Sequence, residues 1–473
     1  MPPLTVSSQR FGALAERVAA AATAFLAALD ERPTVPPTSG TRTTFAFDDD
    51  LPEQGVGEAV LDDLVAIAEH ARANTGRLFP YVVGSGEAIA ALGDLYASVL
   101  NQNVTAWRSA PSAVTVERTV VRWLAEAIGC KGFSGSLCGG GSIANLMALA
   151  MAREARAPAN DAGAQACVVY ASAEVHMSIP KALALLGIGR SNLRLIPVDD
   201  DFRIDLEALE AAIAADRNAG KRGIAIVGSA GTITTGAIDP VQLLAEIARA
   251  NDLWLHVDGA YGALAALAEP ARLEGLALAD SISLDPHKWL YQPIDCSLLL
   301  YRDAELARKT FPYSGDYART MSDDPIEGFA FFEESIELSR RFRALKLWLS
   351  LRFHGLEAFR KAIAENLRQA QMLAQLIEAE PSLERLAPVE LSAVCFRWTG
   401  AEAETLDRRN AEILRRVTER GRVAISNASI RGAFCLRACI VNHRTNDEDV
   451  AAVVAEVLAA AEETISPQAA RSG

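Results

Sequence analysis

Between residues 87 and 301 the chain alternates two hydrophobic periods. Short runs in which nearly every position is apolar or small recur: "ACVVYAS" (166–172), "LRLIPVD" (193–199), "GIAIVGSAG" (223–231), "LWLHVDGAYG" (253–262), "SISLD" (281–285) and "CSLLLYRD" (296–303). Between them lie segments with apolar residues three and four apart: "IANLMALAMAREAR" (143–156), "HMSIPKALALLG" (176–187), "DLEALEAAIAADRNAG" (205–220) and "DPVQLLAEIARAND" (239–252). Strands without polar alternation are buried on both faces, and helices between them supply the cover. The pattern predicts an α/β fold with a mainly parallel central sheet and helices on both faces.

The ends of the chain read differently. Residues 8–30 form an amphipathic helical pattern, 31–55 a Pro- and Thr-rich extended connector, and 56–73 a second helix. A further connector, "TGRLFPYVVGSG", spans 75–86. Residues 333–380 read as helical, and 386–473 mix strands ("VAISNA", "AFCLRACIV") with helices as a smaller α+β domain. The expected division is an N-terminal helical segment and connector (1–86), a large α/β domain (87–332), and linking helices with the small domain (333–473).

Composition narrows the class. The chain has 473 residues, 50% of them hydrophobic and 22% charged, the range of globular proteins. A net charge of −14 with no basic stripe argues against a nucleic-acid partner. Neither a transmembrane span nor a secretory pattern is expected at "MPPLTVSSQRF", so the expected location is cytoplasmic, with no membrane partner. The cysteines at 130, 138, 167, 296, 395, 435 and 439 show neither CxxC nor Cys/His ligand spacing. Reduced thiols, no disulfide framework and no metal are expected.

Four features fall at strand ends or at the helix starts that follow, where open α/β sheets place ligands. "CGGGSIAN" (138–145) reads as an anion cup at a helix N-terminus, or as a tight turn capped by Ser142. Asp258 ends an apolar run and needs a cationic or N–H partner: a protonated pyridine nitrogen, or a structural donor. Gly259 and Ala260 beside it leave room for a flat ring. His176 follows a strand and reads as a ring-stacking, proton-transferring group or as a structural histidine. Lys288, beside His287 in "SISLDPHKWLYQP" (281–293), reads as an amine for a carbonyl compound or as a solvated surface lysine. An aldehyde cofactor with a phosphate and a pyridine requires an amine, a cup, a carboxylate and a lid, and all four occur within 141–288.

These motifs resemble those of the pyridoxal-phosphate-dependent amino-acid decarboxylases, the group II family containing aromatic-amino-acid, glutamate and diaminobutyrate decarboxylases. "DPHKWL", "HVDGAYGA", "GGGSIANLMAL" and "HMSIPKALALLGIG" carry the resemblance, with "SAPSAVTVERTVVRWL", "SRRFRALKLWLSLRFHG" and "LRACIVNHRTNDEDV" flanking them. It implies the pyridoxal-phosphate transferase fold type I. It further implies Lys288 as the cofactor-bonding amine, Asp258 on the pyridinium and His176 on the ring, with Ala260 beside the ring. Gly141, Ser142 and His287 are implied at the phosphate, with Asp285 near it, and Thr232 is a further cofactor contact. It also implies a homodimer with the site at the interface and an amino-acid substrate that loses carbon dioxide. "RLFPYVVG" (77–84) resembles the segment lining the substrate pocket, so Phe79 and Tyr81 are candidate contacts for an aromatic or apolar side chain; equally, both pack the N-terminal layer.

The sequence departs from the family in two places. Ile233 stands where a second hydroxyl is common, with Thr232 or Thr234 as substitutes. Nine positions before Arg340, where many relatives carry a proton-donating tyrosine, stands Phe331. That resembles the aldehyde-forming branch, which decarboxylates and then consumes oxygen; Tyr313 and Tyr317 are other proton donors. A catalytically silent cofactor-binding homologue is disfavoured by the intact Lys288, Asp258 and His176. A nicotinamide-dependent dehydrogenase rests only on a loose glycine pattern.

Overall fold

The computed structural model describes residues 4–311 and 324–465. Its first three helices are α1 (Ser8–Ala27), α2 (Gly40–Phe47) and α3 (Asp63–His70), followed by α4 (Ala88–Leu100) and α5 (Pro111–Ala127). The large domain then runs β1 (Ser134–Cys138), α6 (Gly141–Arg156), β2 (Val168–Ser172), α7 (Ser178–Leu185), β3 (Leu193–Ile196) and α8 (Leu206–Asn218). It continues with β4 (Gly223–Ser229), α9 (Val241–Ala250), β5 (Trp254–Asp258), β6 (Ser281–Leu284), the single turn α10 (Pro286–Trp289), β7 (Ser297–Tyr301) and α11 (Ala304–Thr310). After α12 (Ala344–His354) and α13 (Leu356–Ala379) come β8 (Leu383–Arg385), β9 (Ala393–Trp398), α14 (Ala403–Arg420), β10 (Ser426–Ile430), β11 (Ala433–Cys439) and α15 (Asp447–Ile465).

The large sheet has the order β1-β7-β6-β5-β4-β2-β3, all parallel except β7, which is antiparallel to both neighbours. Alternate residues of one strand feed two cores. Val168 and Tyr170 pack with residues of α5, α8 and α9, while Val169 and Ala171 pack with residues of α6 and α7. Period-2 orientation with apolar residues on both sides is the physical content of the near-continuous strand pattern. The second sheet, β10-β11-β9-β8, is antiparallel and is covered by α13, α14 and α15. Residues 78–79 join it through Phe79 N–H to Ala424 O (2.9 Å) and Cys439 N–H to Phe79 O (2.9 Å).

Local expectations failed in three places. Residues 40–47, expected to be extended, are helical: Ser39 caps α2 by accepting from Arg42 N–H, a signal masked by the surrounding prolines and threonines. Residues 56–73, expected to form one helix, split into a 3-10 turn (Gly57–Asp62) and α3. Residues 333–343, expected to be helical, are largely irregular. Their backbone is claimed by distant partners, with Arg340 N–H bonding Asn103 Oδ1 and Val104 N–H bonding Arg340 O. Among the described residues no helix is long and apolar enough to cross a membrane, and no cluster of ligating side chains has metal geometry. All seven cysteines are buried free thiols.

Candidate active site

Parallel strands β2, β4, β5 and β6 end on one side of the sheet, and β1, antiparallel to β7, ends there too. The loops leaving these ends enclose a cavity of about 320 Å³. Gly141, Ser142, His176, Thr232, Asp258, Ala260, Asp285, His287 and Lys288 all line it. These are the nine residues that the family resemblance assigns to the cofactor.

The glycine loop is shaped for close approach. Gly140 adopts φ +150°, a conformation suited to glycine. A Cβ on Gly141 would stand 3.0 Å from both the Ala260 Cβ and the Asp285 carboxylate. Helix α6 therefore starts with bare backbone at the cavity wall, its positive dipole end at the cavity, an arrangement suited to an anion.

Pro286 ends β6, and α10 turns Lys288 back over Asp285, placing Nζ 2.9 Å from Asp285 Oδ2. Asp285 also accepts from Ser297 Oγ (2.5 Å). His287 Nδ1 donates to the Cys296 carbonyl (2.8 Å), and burial pushes its pKa down, against the opposing pull of Asp285. Nε2, the nitrogen left for the cavity, therefore donates to an anion only when the ring is doubly protonated. A Cβ on Gly84 would lie 2.3 Å from the His287 carbonyl and 2.5 Å from that of Lys288. The second connector thus presses directly on the lysine turn, a contact no sequence motif announced.

Asp258 closes β5 and is 8% exposed. Its Oδ2 accepts from Asn145 Nδ2 (2.8 Å); its Oδ1 accepts from Ser283 Oγ (3.1 Å) and Ala260 N–H (3.2 Å). His176 Nδ1 lies 2.8 Å from Ser178 Oγ and 3.2 Å from Ser178 N–H. An acceptor at Nδ1 leaves the ring proton on Nε2. Burial lowers the His176 pKa, opposed by Asp258 and assisted by Lys288. Thr232 Oγ1 is 3.0 Å from Thr235 Oγ1 and accepts from Ala237 N–H (3.2 Å). The wall beside Thr232 is apolar: Ile233 there and Ile294 nearby are 38% and 68% exposed.

Phe79 and Tyr81, expected at the substrate, and Phe331, expected beside it where relatives carry the proton donor, do not line this cavity. Phe79 is fully buried in the small-domain core. Tyr81 is 61% exposed at φ +61°, its carbonyl accepting from Arg437 (3.0 Å). Phe331 is fully buried under the Arg340 guanidinium (4.2 Å) and against Phe329 (4.8 Å). Tyr313 and Tyr317 lie outside the described residues.

Sequence reading missed Asn145, which lines the cavity, and Arg437, which braces the 231–237 loop that carries Thr232 and Ile233. Asn145 is one turn into α6 from the glycines, a spacing that faces the sheet and would have pointed to it. Arg437 is 3% exposed; Nε donates to Thr234 O (2.9 Å), Nη1 to Tyr81 O, and Nη2 is buried with no partner.

This donor set fits pyridoxal phosphate: an amine, a carboxylate with three donors and room for one more, a glycine-lined helix start and a histidine share one cavity. The family description "Pyridoxal-dependent decarboxylase conserved domain" matches residues 46–399. An aromatic-L-amino-acid decarboxylase of Bacillus atrophaeus is 36% identical over 390 residues, covering 81% of this chain and 80% of that protein. Among solved structures, Oryza sativa TDC with PLP and tryptamine superposes with TM-score 0.92 at 24% identity, covering 98% of this chain and all of the other. Rhodiola rosea 4-hydroxyphenylacetaldehyde synthase superposes at 0.88 with 26% identity and the same coverage. The chain belongs to the pyridoxal-dependent decarboxylase family, an amino-acid carboxy-lyase that works with pyridoxal phosphate.

Proposed function

We propose that the protein is a homodimeric, cytoplasmic decarboxylase that converts an L-amino acid with an aromatic or apolar side chain to its amine and carbon dioxide. The observation that carries this reading is the convergence of Lys288, Asp258, His176 and the start of α6 on one cavity. Lys288 would hold the cofactor aldehyde and Asp258 its ring nitrogen. His176 would cover the ring, with Ala260 as the small residue beside it. Gly141, Ser142, Thr232 and His287 would surround the phosphate, and Asp285 would orient the Lys288 amine. When bound, pyridoxal phosphate supplies the ring that takes up the electron pair left as carbon dioxide departs. The chain's own work is orientation and proton control. Asp258 presents a carboxylate to the ring nitrogen, and His176 carries a proton on Nε2. Ile233 and Ile294, rather than Phe79, Tyr81 and Phe331, would meet the substrate side chain; their apolar surfaces, and the similarity to an aromatic-L-amino-acid decarboxylase, support the substrate class.

The test is product identification by mass after incubation with each of the twenty amino acids and pyridoxal phosphate. Amine and carbon dioxide from an aromatic or apolar amino acid are expected; if none loses carbon dioxide, the reading fails. A second reading is favoured by the similarity to an aldehyde synthase. It predicts aldehyde, ammonia and peroxide in the same assay.

Arg437 supports a substrate carrying a carboxylate, since a buried guanidinium nitrogen without a partner is costly. Arg437→Gln is expected to raise KM by about tenfold or more with a smaller change in kcat, measured by initial rates.

Exposed apolar surface supports the dimer. Helices α1, α2 and α3 bury no residue, and α4 exposes Leu92, Leu95, Tyr96 and Val99 at helical spacing. Leu92→Glu with Tyr96→Glu is expected to shift the protein from dimer to monomer in analytical ultracentrifugation and to lose activity with it. The seven free thiols support a reducing compartment. The division at 86/87 and 332/333 remains the proposed domain plan.

A further inference from the structure

Behind Asp258 lies a chain of buried polar groups that the reaction itself does not touch. Trp254 Nε1–H donates to Ser281 Oγ (2.8 Å), which lies 3.0 Å from His256 Nδ1. His256 Nε2 lies 2.9 Å from Asn145 Oδ1. Asn145 Nδ2 donates both its hydrogens, to Asp258 Oδ2 (2.8 Å) and to Ser178 Oγ (2.9 Å). His256, Asn145, Ser178 and Ser281 are all buried.

The direction of these bonds is fixed by chemistry. A carboxylate only accepts, so the Asn145 amide must turn its nitrogen to Asp258. The opposite assignment would set oxygen against oxygen at 2.8 Å. Asn145 Oδ1 then faces His256, whose Nε2 must carry the proton, and His256 Nδ1 accepts from Ser281. Burial pushes the His256 pKa down to about 4, against the opposing pull of Asp258, so the ring stays neutral near pH 7. On the other branch, Ser178 Oγ accepts from Asn145 and its own hydrogen goes to His176 Nδ1.

We propose that Asn145 is a positioning residue that sets both polar groups acting on the cofactor. It fixes Asp258 as the acceptor for the ring nitrogen and, through Ser178, fixes His176 with its proton on Nε2; His256 holds the Asn145 carbonyl in place through Nε2–H. Both amide hydrogens and the carbonyl oxygen are engaged, so the flipped orientation of Asn145 does not satisfy the site. This rests on the proposed role of Asp258 at the ring nitrogen.

The test uses pyridoxal phosphate labelled with ¹⁵N in its ring, bound to the full chain. Asn145→Leu is expected to move the ring signal towards that of the unprotonated form and to weaken pyridoxal phosphate binding by about tenfold, the scale of one charge-assisted hydrogen bond. His256→Leu does the same, while His256→Gln, which keeps an N–H where Nε2–H stands, retains the native signal. Ser178→Ala leaves the ring signal in place and moves the imidazole signals of His176 in ¹⁵N-histidine-labelled protein. Asp258→Asn is the reference: if it leaves the ring signal unchanged, the reading of Asp258 itself fails. If Asp258→Asn moves the signal and folded Asn145→Leu does not, the role of Asn145 is overturned. Should Asn145→Leu not fold, identical ring signals in His256→Leu and His256→Gln overturn it instead.

Discussion

Lys288→Ala is expected to lower turnover by more than about a thousandfold, the scale of losing a covalent catalytic group. It should also abolish the borohydride-reducible pyridoxal adduct expected in the native protein on the tryptic peptide containing "DPHKWL". The residue stands where such an amine is needed, just past β6, turned back by Pro286 and held 2.9 Å from Asp285. No other lysine lines the cavity among the described residues, so no second amine is placed to substitute. The substitution also leaves Asp285, 3% exposed in its side chain, without its cation. Ser297 and the neighbouring His287 remain beside it, so the fold should persist while the chemistry is lost. An intact adduct at position 288 in the native protein, with full activity in the alanine variant, would refute the assignment. Near-ultraviolet circular dichroism separates loss of chemistry from loss of fold.

What the sequence made legible followed from periodicity and from strand ends. Strands such as Val168–Ser172 and Trp254–Asp258 are buried at every position because both faces are covered, and their mostly apolar pattern is visible without coordinates. The nine expected cofactor residues meet because the parallel strands and β1 all end on one side of the sheet, a consequence of topology rather than of local spacing. What stayed hidden was held by long-range contacts. Phe79 looked like a pocket residue because it sits in a connector beside a tyrosine; β11 captures its carbonyl and draws the ring into the small-domain core. Phe331 was placed by counting back from Arg340, and a count along the chain says nothing of which side the ring faces. Gly84 and Arg437 lie inside segments that carry the family resemblance, but neither segment says what these residues touch. Their roles appear only when the connector is laid across the lysine turn and β11 beside the 231–237 loop. Asn145 alone among the missed residues had a readable signal, one helical turn from the glycines.

Arg340→Leu is expected to destabilise the fold by about 3–5 kcal/mol, the cost of leaving one partner of a buried ion pair uncompensated. Arg340 and Glu117 are both fully buried and paired. The guanidinium also donates to Val104 O (2.7 Å) and Leu137 O (2.8 Å), and its face lies on Phe331. Glu117 in turn accepts from Leu137 N–H (2.9 Å). One side chain therefore ties α5, β1 and the loop before α12 together. Leu137 lies two residues before Gly139, so β1 carries the strain of a broken pair straight to the glycine loop. Thermal unfolding followed at fixed protein concentration should drop by about 5 °C or more. Pyridoxal phosphate affinity should fall alongside it, although Arg340 does not line the cavity. The double variant Glu117→Leu with Arg340→Leu removes both charges and should cost less than the two single changes summed. Strict additivity would mean that the pair is not coupled and that Arg340 acts through its carbonyl contacts alone. The "SRRF" motif, read from sequence only as a flanking landmark, would then owe its effect to holding Val104 and Leu137 rather than to its charge.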